Sequence, residues 1–258
     1  MTFGPTLLAD FGGLYRTTSR GTSTPTDPPG GGGGAPLFAY SVRKVSTTYS
    51  GPCMKVLRVG PGNLADIGFD SHGALDLAAL AAHLQGDDGL VQTWYNQGSA
   101  GSGGNFASNA YLPLLQDNGA LFTFGPFSRP ALNPGFGPMV MNNPALARIA
   151  CDLSVMAVIV PGTDSVPEHI VGFADHWSVR SIATARSSFR FKDAAGVFQQ
   201  TSGDPNALET DTPTRFGWNV KQVGQQVSCR RRIAGRASTF LFTSGWGSYG
   251  SGACTLFG

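Results

Sequence analysis

The sequence predicts a mostly-β chain, a sandwich or jelly roll with one short helix and an extended N-terminal arm. Short apolar or alternating runs recur from residue 37 to residue 243, punctuated by Gly, Pro, Asn and Asp turns. Glycine, at 36 of 258 residues, is about twice its usual ~7 % share. Charged residues make up 13 % of the chain, against roughly 25 % in an average domain. Few charges and many glycines suit strands joined by tight turns, and they suit a protein held in a large assembly. A chain of 258 residues fits one large all-β domain whose core folds without disulfides or metals.

Residues 1–16 are read as a docking arm, with Phe3, Leu7, Leu8, Phe11, Leu14 and Tyr15 as its apolar contacts. Residues 17–35, TTSRGTSTPTDPPGGGGGA, cannot bury enough surface to repay their ordering entropy and read as a flexible linker. Residues 36–258 form the sandwich domain. Strands are expected at 37–45, 54–59, 90–95, 120–124, 139–141, 153–160, 169–173, 178–184, 188–192, 196–201, 215–222, 226–233 and 238–243. Val223, Gly224 and Gln225 form a hairpin turn between two of them. The one helix is expected at 75–85, where Leu77, Leu80, Ala81 and Leu84 recur at helical spacing, with Asp76 as N-cap and Gly86 at the C-terminal cap.

A formal net charge of +2 gives no global field for nucleic acid or an anionic membrane. No apolar run reaches the ~18 residues of a membrane span, and the N-terminus lacks the pattern of a secretion signal. Cys53, Cys151, Cys229 and Cys254 are irregularly spaced without C-x-x-C, so the expectation is reduced thiols, mostly buried, and no zinc. No cofactor is expected: the glycine run lacks the Lys and helix of a P-loop, and Asp87-Asp88-Gly89 reads as a turn rather than a calcium site.

One stretch is more specific. Ala39-Tyr40-Ser41-Val42-Arg43, Tyr49-Ser50-Gly51-Pro52, Asp66-Ile67-Gly68-Phe69-Asp70, Gly73-Ala74-Leu75-Asp76 and Thr93-Trp94-Tyr95-Asn96-Gln97 follow one another in order. This order resembles the start of concanavalin A-like jelly-roll domains of the α-L-arabinofuranosidase B type, a domain type that recurs in phage head and tail proteins. Two departures stand out. Asn96 replaces the family's Asp, and the family's closing strand after the Gly-rich stretch is expected to lie beyond Gly258 or to come from the arm or from another subunit.

The resemblance implies two-carboxylate glycosidase chemistry, for which Asp152, Glu168, Asp175, Asp193 and Glu209 are the acidic residues near likely strands or loops. Around the family's nucleophile the chain reads Asp175-His176-Trp177-Ser178-Val179-Arg180, without a strand-borne Glu, so no catalytic residue is assigned and the chain is expected not to be an enzyme. Trp177, Trp218 and Trp246, with Asp175 and His176, are the candidate carbohydrate contacts; core packing is the competing role for each Trp. Arg230, Arg231, Arg232 and Arg236 are the one basic cluster, a solvated edge or a contact for acidic polysaccharide. The expectation for the whole is a virion structural protein, a fibre or decoration protein assembled in the host cytoplasm. It docks on capsid, portal or tail through its arm, forms a trimer, and displays a lectin-like domain toward a host glycan. An arabinofuranosidase-like glycoside hydrolase and a bacterial surface lectin are the alternatives.

Overall fold

A computed structural model describes residues 10–16, 36–108, 112–124, 128–133, 139–143, 153–159, 168–173, 176–182, 186–201, 214–233, 236–247 and 254–256. In chain order its strands are β1 (Asp10–Arg16), β2 (Phe38–Ser41), β3 (Met54–Arg58), β4 (Leu64–Ile67), β5 (Gly89–Trp94), β6 (Phe106–Ala107), β7 (Leu114–Asp117), β8 (Ala120–Leu121), β9 (Thr123–Phe124) and β10 (Arg129–Pro130). They continue with β11 (Met139–Met141), β12 (Leu153–Ile159), β13 (Glu168–Phe173), β14 (Trp177–Ile182), β15 (Arg186–Lys192), β16 (Phe198–Gln200), β17 (Thr214–Val223), β18 (Gln226–Ile233), β19 (Arg236–Phe242) and β20 (Cys254–Leu256). The helix α1 (Leu77–Leu84) lies between β4 and β5. Its N-cap is Asp76, whose carboxylate accepts the Ala79 amide at 2.9 Å. The left-handed cap residue is Gln85 rather than the expected Gly86, although Gly86 also has positive φ. No helix among the described residues is long and apolar enough to cross a membrane.

The strands form an antiparallel β-sandwich. The smaller sheet runs β19-β18-β17-β12-β1-β2, and the larger runs β16-β15-β14-β13-β20-β11-β6-β5-β3-β4, with β7 and β8 attached through β5. Alternation divides the residues of each strand between two faces. β18 shows this cleanly: Val227, Cys229, Arg231 and Ile233 are buried while Gln226, Arg230 and Arg232 are exposed. The core between the sheets is aromatic. Trp177 stacks on Phe189 (6.3 Å between centroids, 18°), Phe189 meets Trp218 at 5.9 Å across the sandwich, and Phe191 stacks on Trp246 (5.2 Å, 5°). Each such ring removes roughly 150–250 Å² from water, about 4–6 kcal/mol of gross transfer energy at ~25 cal/mol/Å².

Several expectations need correction. Residues 10–16 do not hang free: β1 pairs with β12 on one side and β2 on the other. Phe11, Leu14 and Tyr15 therefore sit on a strand of the chain's own sheet instead of a docking arm. Phe3, Leu7 and Leu8, and the linker 17–35, lie outside the described residues. The strand after the Gly-rich stretch is supplied by the chain itself: β20 inserts between β13 and β11. The arginine run is not at an edge, because β19 lies outside β18 and takes the edge position. Within that run Arg230 and Arg232 face solvent while Arg231, 2 % exposed, turns inward over Trp218 and Phe240.

Candidate functional site

The stretch that carries the sequence resemblance is a clamp. Asn96, buried at the end of β5, accepts the amides of Ala39 (2.8 Å) and Gly98 (2.9 Å) on Oδ1. Its Nδ2 donates to the carbonyls of Leu37, Gly98 and Gly101 at 3.2–3.3 Å. An aspartate has no such donors, and the three carbonyls around Nδ2 explain why an amide suits this position. Gln97 does the same next door: Nε2 donates to the carbonyls of Ser41 (2.8 Å) and Arg43 (3.1 Å), and Oε1 accepts the Val45 amide (2.9 Å). The glycines here are required by space. A Cβ on Gly98 would lie 2.5 Å from the Leu37 carbonyl oxygen, and one on Gly104 2.8 Å from Asn96 Nδ2. These bonds lash β2 and the residues that follow it to the loop after β5. Trp94 turns into the core and Tyr95 turns outward, where its hydroxyl donates to Asp66 at 2.7 Å.

The residues singled out for carbohydrate contact are arranged otherwise than expected. Trp177 and Trp218 are fully buried in the sandwich, so neither presents a ring face to a sugar; core packing is their role. Trp246 is half-buried, held between Phe191 and His176. His176 is buried, 5.3 Å from the Trp246 ring, with Nε2 3.1 Å from the Gly247 carbonyl. Asp175 lies outside the described residues, as do Asp152 and Glu209, while Glu168 opens β13. Asp193, 4 % exposed, is consumed by a turn: its carboxylate accepts Gln199 Nε2 at 2.8 Å and the amides of Val197 (2.9 Å) and Ala195 (3.0 Å). These bonds, the Gln199 side chain first, hold its carboxyl below the usual range. The described cysteines Cys53, Cys229 and Cys254 are all buried, and burial pushes the Cys254 thiol up to about 12.

What the sequence alone does not show is a row of residues on the face of the larger sheet turned away from the smaller one. Register links Asp66 to Lys55, Lys55 to Thr93, Thr93 to Ala107 and Ala107 to Val140. It continues from Val140 to Thr255, Thr255 to Gly172, Gly172 to Ser178, Ser178 to Arg190 and Arg190 to Gln200. Residues in register share a face, so the row crosses the sheet from β4 to β16. Its middle carries Ala107, Val140, Thr255, Gly172 and Ser178, of which Gly172 and Ser178 are buried, and charge lies toward its ends at Asp66, Lys55 and Arg190. Gly172 is a point of close approach, since at φ +149° a Cβ would lie 2.4 Å from the Trp177 carbonyl oxygen. At one end Asp66 is 3.9 Å from Lys55 Nζ. At the other, the Arg190 guanidinium lies 3.5 Å over the ring of Phe198.

No protein-family model matches the sequence, and no curated protein matches it. Solved structures do. A GH54 α-L-arabinofuranosidase soaked with a cyclic sulfate inhibitor is 14 % identical with a TM-score of 0.48. An arabinofuranosidase complexed with arabinofuranosyl-α-1,2-xylobiose is 13 % identical with a TM-score of 0.45. Each match covers 86 % of this chain and 55 % of the other, so the chain spans about half the length of the proteins it is similar to. The solved structures that match are enzymes, which corrects the expectation of a non-enzymatic chain. At this identity the likeness is one of fold.

Proposed function

We propose that this chain is a carbohydrate-active protein of the glycoside hydrolase kind, acting on arabinofuranoside-bearing glycan laid across the outer face of its larger sheet. The observation that carries the reading is the row from Asp66 to Gln200. Its Ala107, Val140 and Thr255 are half-buried or exposed and small enough to lie under flat sugar rings, the Thr93 and Thr255 hydroxyls offer hydrogen bonds, and Lys55 and Arg190 stand toward its two ends, while Gly172 and Ser178 are buried. The order of motifs from Ala39 to Gln97, similar to that of arabinofuranosidases, supports the substrate class. Hydrolysis by two carboxylates needs one to protonate the leaving oxygen and one to attack or to activate water. Glu168, Asp175 and Glu209, three of the acidic residues that the sequence places near strands or loops in the C-terminal half, are the candidates for the pair. A virion setting, expected from the sequence, needs an attachment element other than β1.

The test is release of 4-nitrophenolate from 4-nitrophenyl α-L-arabinofuranoside, together with retention on arabinan and arabinoxylan in affinity electrophoresis. Turnover and retention are expected for the parent chain, with turnover lost in at least one of Glu168→Gln, Asp175→Asn and Glu209→Gln while retention persists. A chain that neither turns over the substrate nor is retarded by either polysaccharide contradicts the proposal.

A further inference from the structure

Toward the β16 end of the row, four polar side chains occupy the corners of one square. Ser178 stands opposite Arg190, and Arg180 stands opposite Ser188. Residues two apart on a strand share a face, so all four belong to the outer face, and Val179 and Phe189 between them fill the core. Opposed Cβ atoms in such a pair are ~5 Å apart and diagonal neighbours roughly 7–8 Å apart. The two guanidiniums are diagonal neighbours and can reach one small ligand group. Phe198 lies under Arg190, 3.5 Å from guanidinium carbon to ring centroid.

Among the described residues neither arginine has a carboxylate within ion-pair distance. Arg180 Nε, shut off from water, finds no hydrogen-bond partner among the described residues, and the buried Ser188 hydroxyl finds none among them either. Burial first, and the charge of Arg190 second, push the Arg180 guanidinium below its usual value. Desolvating a donor without a partner is costly, and setting a second cation beside it adds repulsion. An anion bound between the two arginines removes both penalties. Its planar, bidentate form fits a carboxylate, since the guanidinium fork pairs two parallel N–H groups with two oxygens.

We infer that Arg180, Arg190 and Ser188 form a subsite for the carboxylate of a uronic acid residue in an acidic glycan. The inference rests on the reading of the outer face as a glycan track, and it adds to that reading an acidic sugar at the β14–β16 end.

Isothermal titration of the full chain with trigalacturonate, with a neutral arabino-oligosaccharide of equal length and with inorganic sulfate tests it. Trigalacturonate is expected to bind more tightly than the neutral sugar and than sulfate. Arg180→Gln is expected to weaken it by about tenfold to a hundredfold, the span of one or two charge-assisted hydrogen bonds. Ser188→Ala is expected to weaken it less, with the neutral sugar unaffected in both variants. Arg190→Gln, read as loss of trigalacturonate affinity alone, tests the same subsite should Arg180→Gln melt early. Equal affinity for acidic and neutral sugars, unchanged by these substitutions, overturns the subsite and leaves the glycan track standing. Sulfate binding as tight as trigalacturonate overturns the uronic acid assignment in favour of a plain anion site. Binding of neither sugar overturns both.

Discussion

The two halves of the larger sheet spend their polar groups in opposite ways. In the half built from β3 to β6, Asn96 and Gln97 exhaust their donors and acceptors on backbone carbonyls and amides. In the half built from β13 to β16, Arg180 Nε and Ser188 Oγ are buried without partners on the outer face. The first half carries the motif by which the chain resembles a known family. The second carries the groups a ligand could satisfy. A polar motif legible in sequence is thus a mark of scaffold here, because a buried amide with a full set of bonds cannot be exchanged without loss.

The largest effect is expected at the aromatic core that both faces depend on. Trp177→Ala removes a ring stacked on Phe189 and packed against Phe173, and urea denaturation should show a loss of about 3–5 kcal/mol. A change of half that size or less would mean that the two sheets do not share this core. Next comes the clamp. Asn96→Asp replaces three donations with a charge facing three carbonyls, and about 1–3 kcal/mol should be lost at neutral pH. The buried carboxyl is favoured in its protonated form, so this loss should shrink as pH falls toward 4.

Asp193 should behave in the reverse sense. Its folded value lies below that of the unfolded chain, so its contribution is present above the unfolded value, ~3.9, and fades as pH falls below it. Melting temperatures of Asp193→Asn between pH 2 and 6 should be lower than the parent's at pH 6 and converge with them at the acid end. The smallest effect, and the one of opposite sign, is expected in the unsatisfied half. Arg180→Met removes a desolvated cation with no anionic partner and should leave the melting temperature equal to or above the parent's, whereas a fall of several degrees would show that Arg180 is structural.

Much of the fold is legible from local pattern. The apolar run 153–160 becomes β12, the interruption at Gly224 becomes the hairpin joining β17 to β18, and Asp76 caps the helix. The misses have physical reasons. β1 contains Gly12-Gly13, and its pairing with β2 shifts register between Phe11 and Leu14; glycines in a strand weaken its pattern. β20 has only three residues, Cys254–Leu256, after a glycine-rich stretch, too few to show alternation. β4 has only four residues, Leu64–Ile67, too few to show alternation by themselves. The row and the Arg180–Ser188 square could not be read from sequence, since they arise from register between strands far apart in the chain. The three tryptophans are visible as aromatic residues, yet only packing reveals that Trp177 and Trp218 point between the sheets.

The most direct measurement compares a bulky substitution on each outer face. Ala107→Trp adds a bulky ring in the middle of the row on the larger sheet, whereas Asn219→Trp changes an exposed position on the smaller sheet, where Asn219 Nδ2 donates to Ser154 Oγ. Affinity for arabinoxylan should fall by about tenfold or more in Ala107→Trp, the effect of losing roughly 1.4 kcal/mol of contact, and stay at the parent value in Asn219→Trp. Loss in Asn219→Trp with full retention in Ala107→Trp would contradict the account and move the glycan to the other sheet.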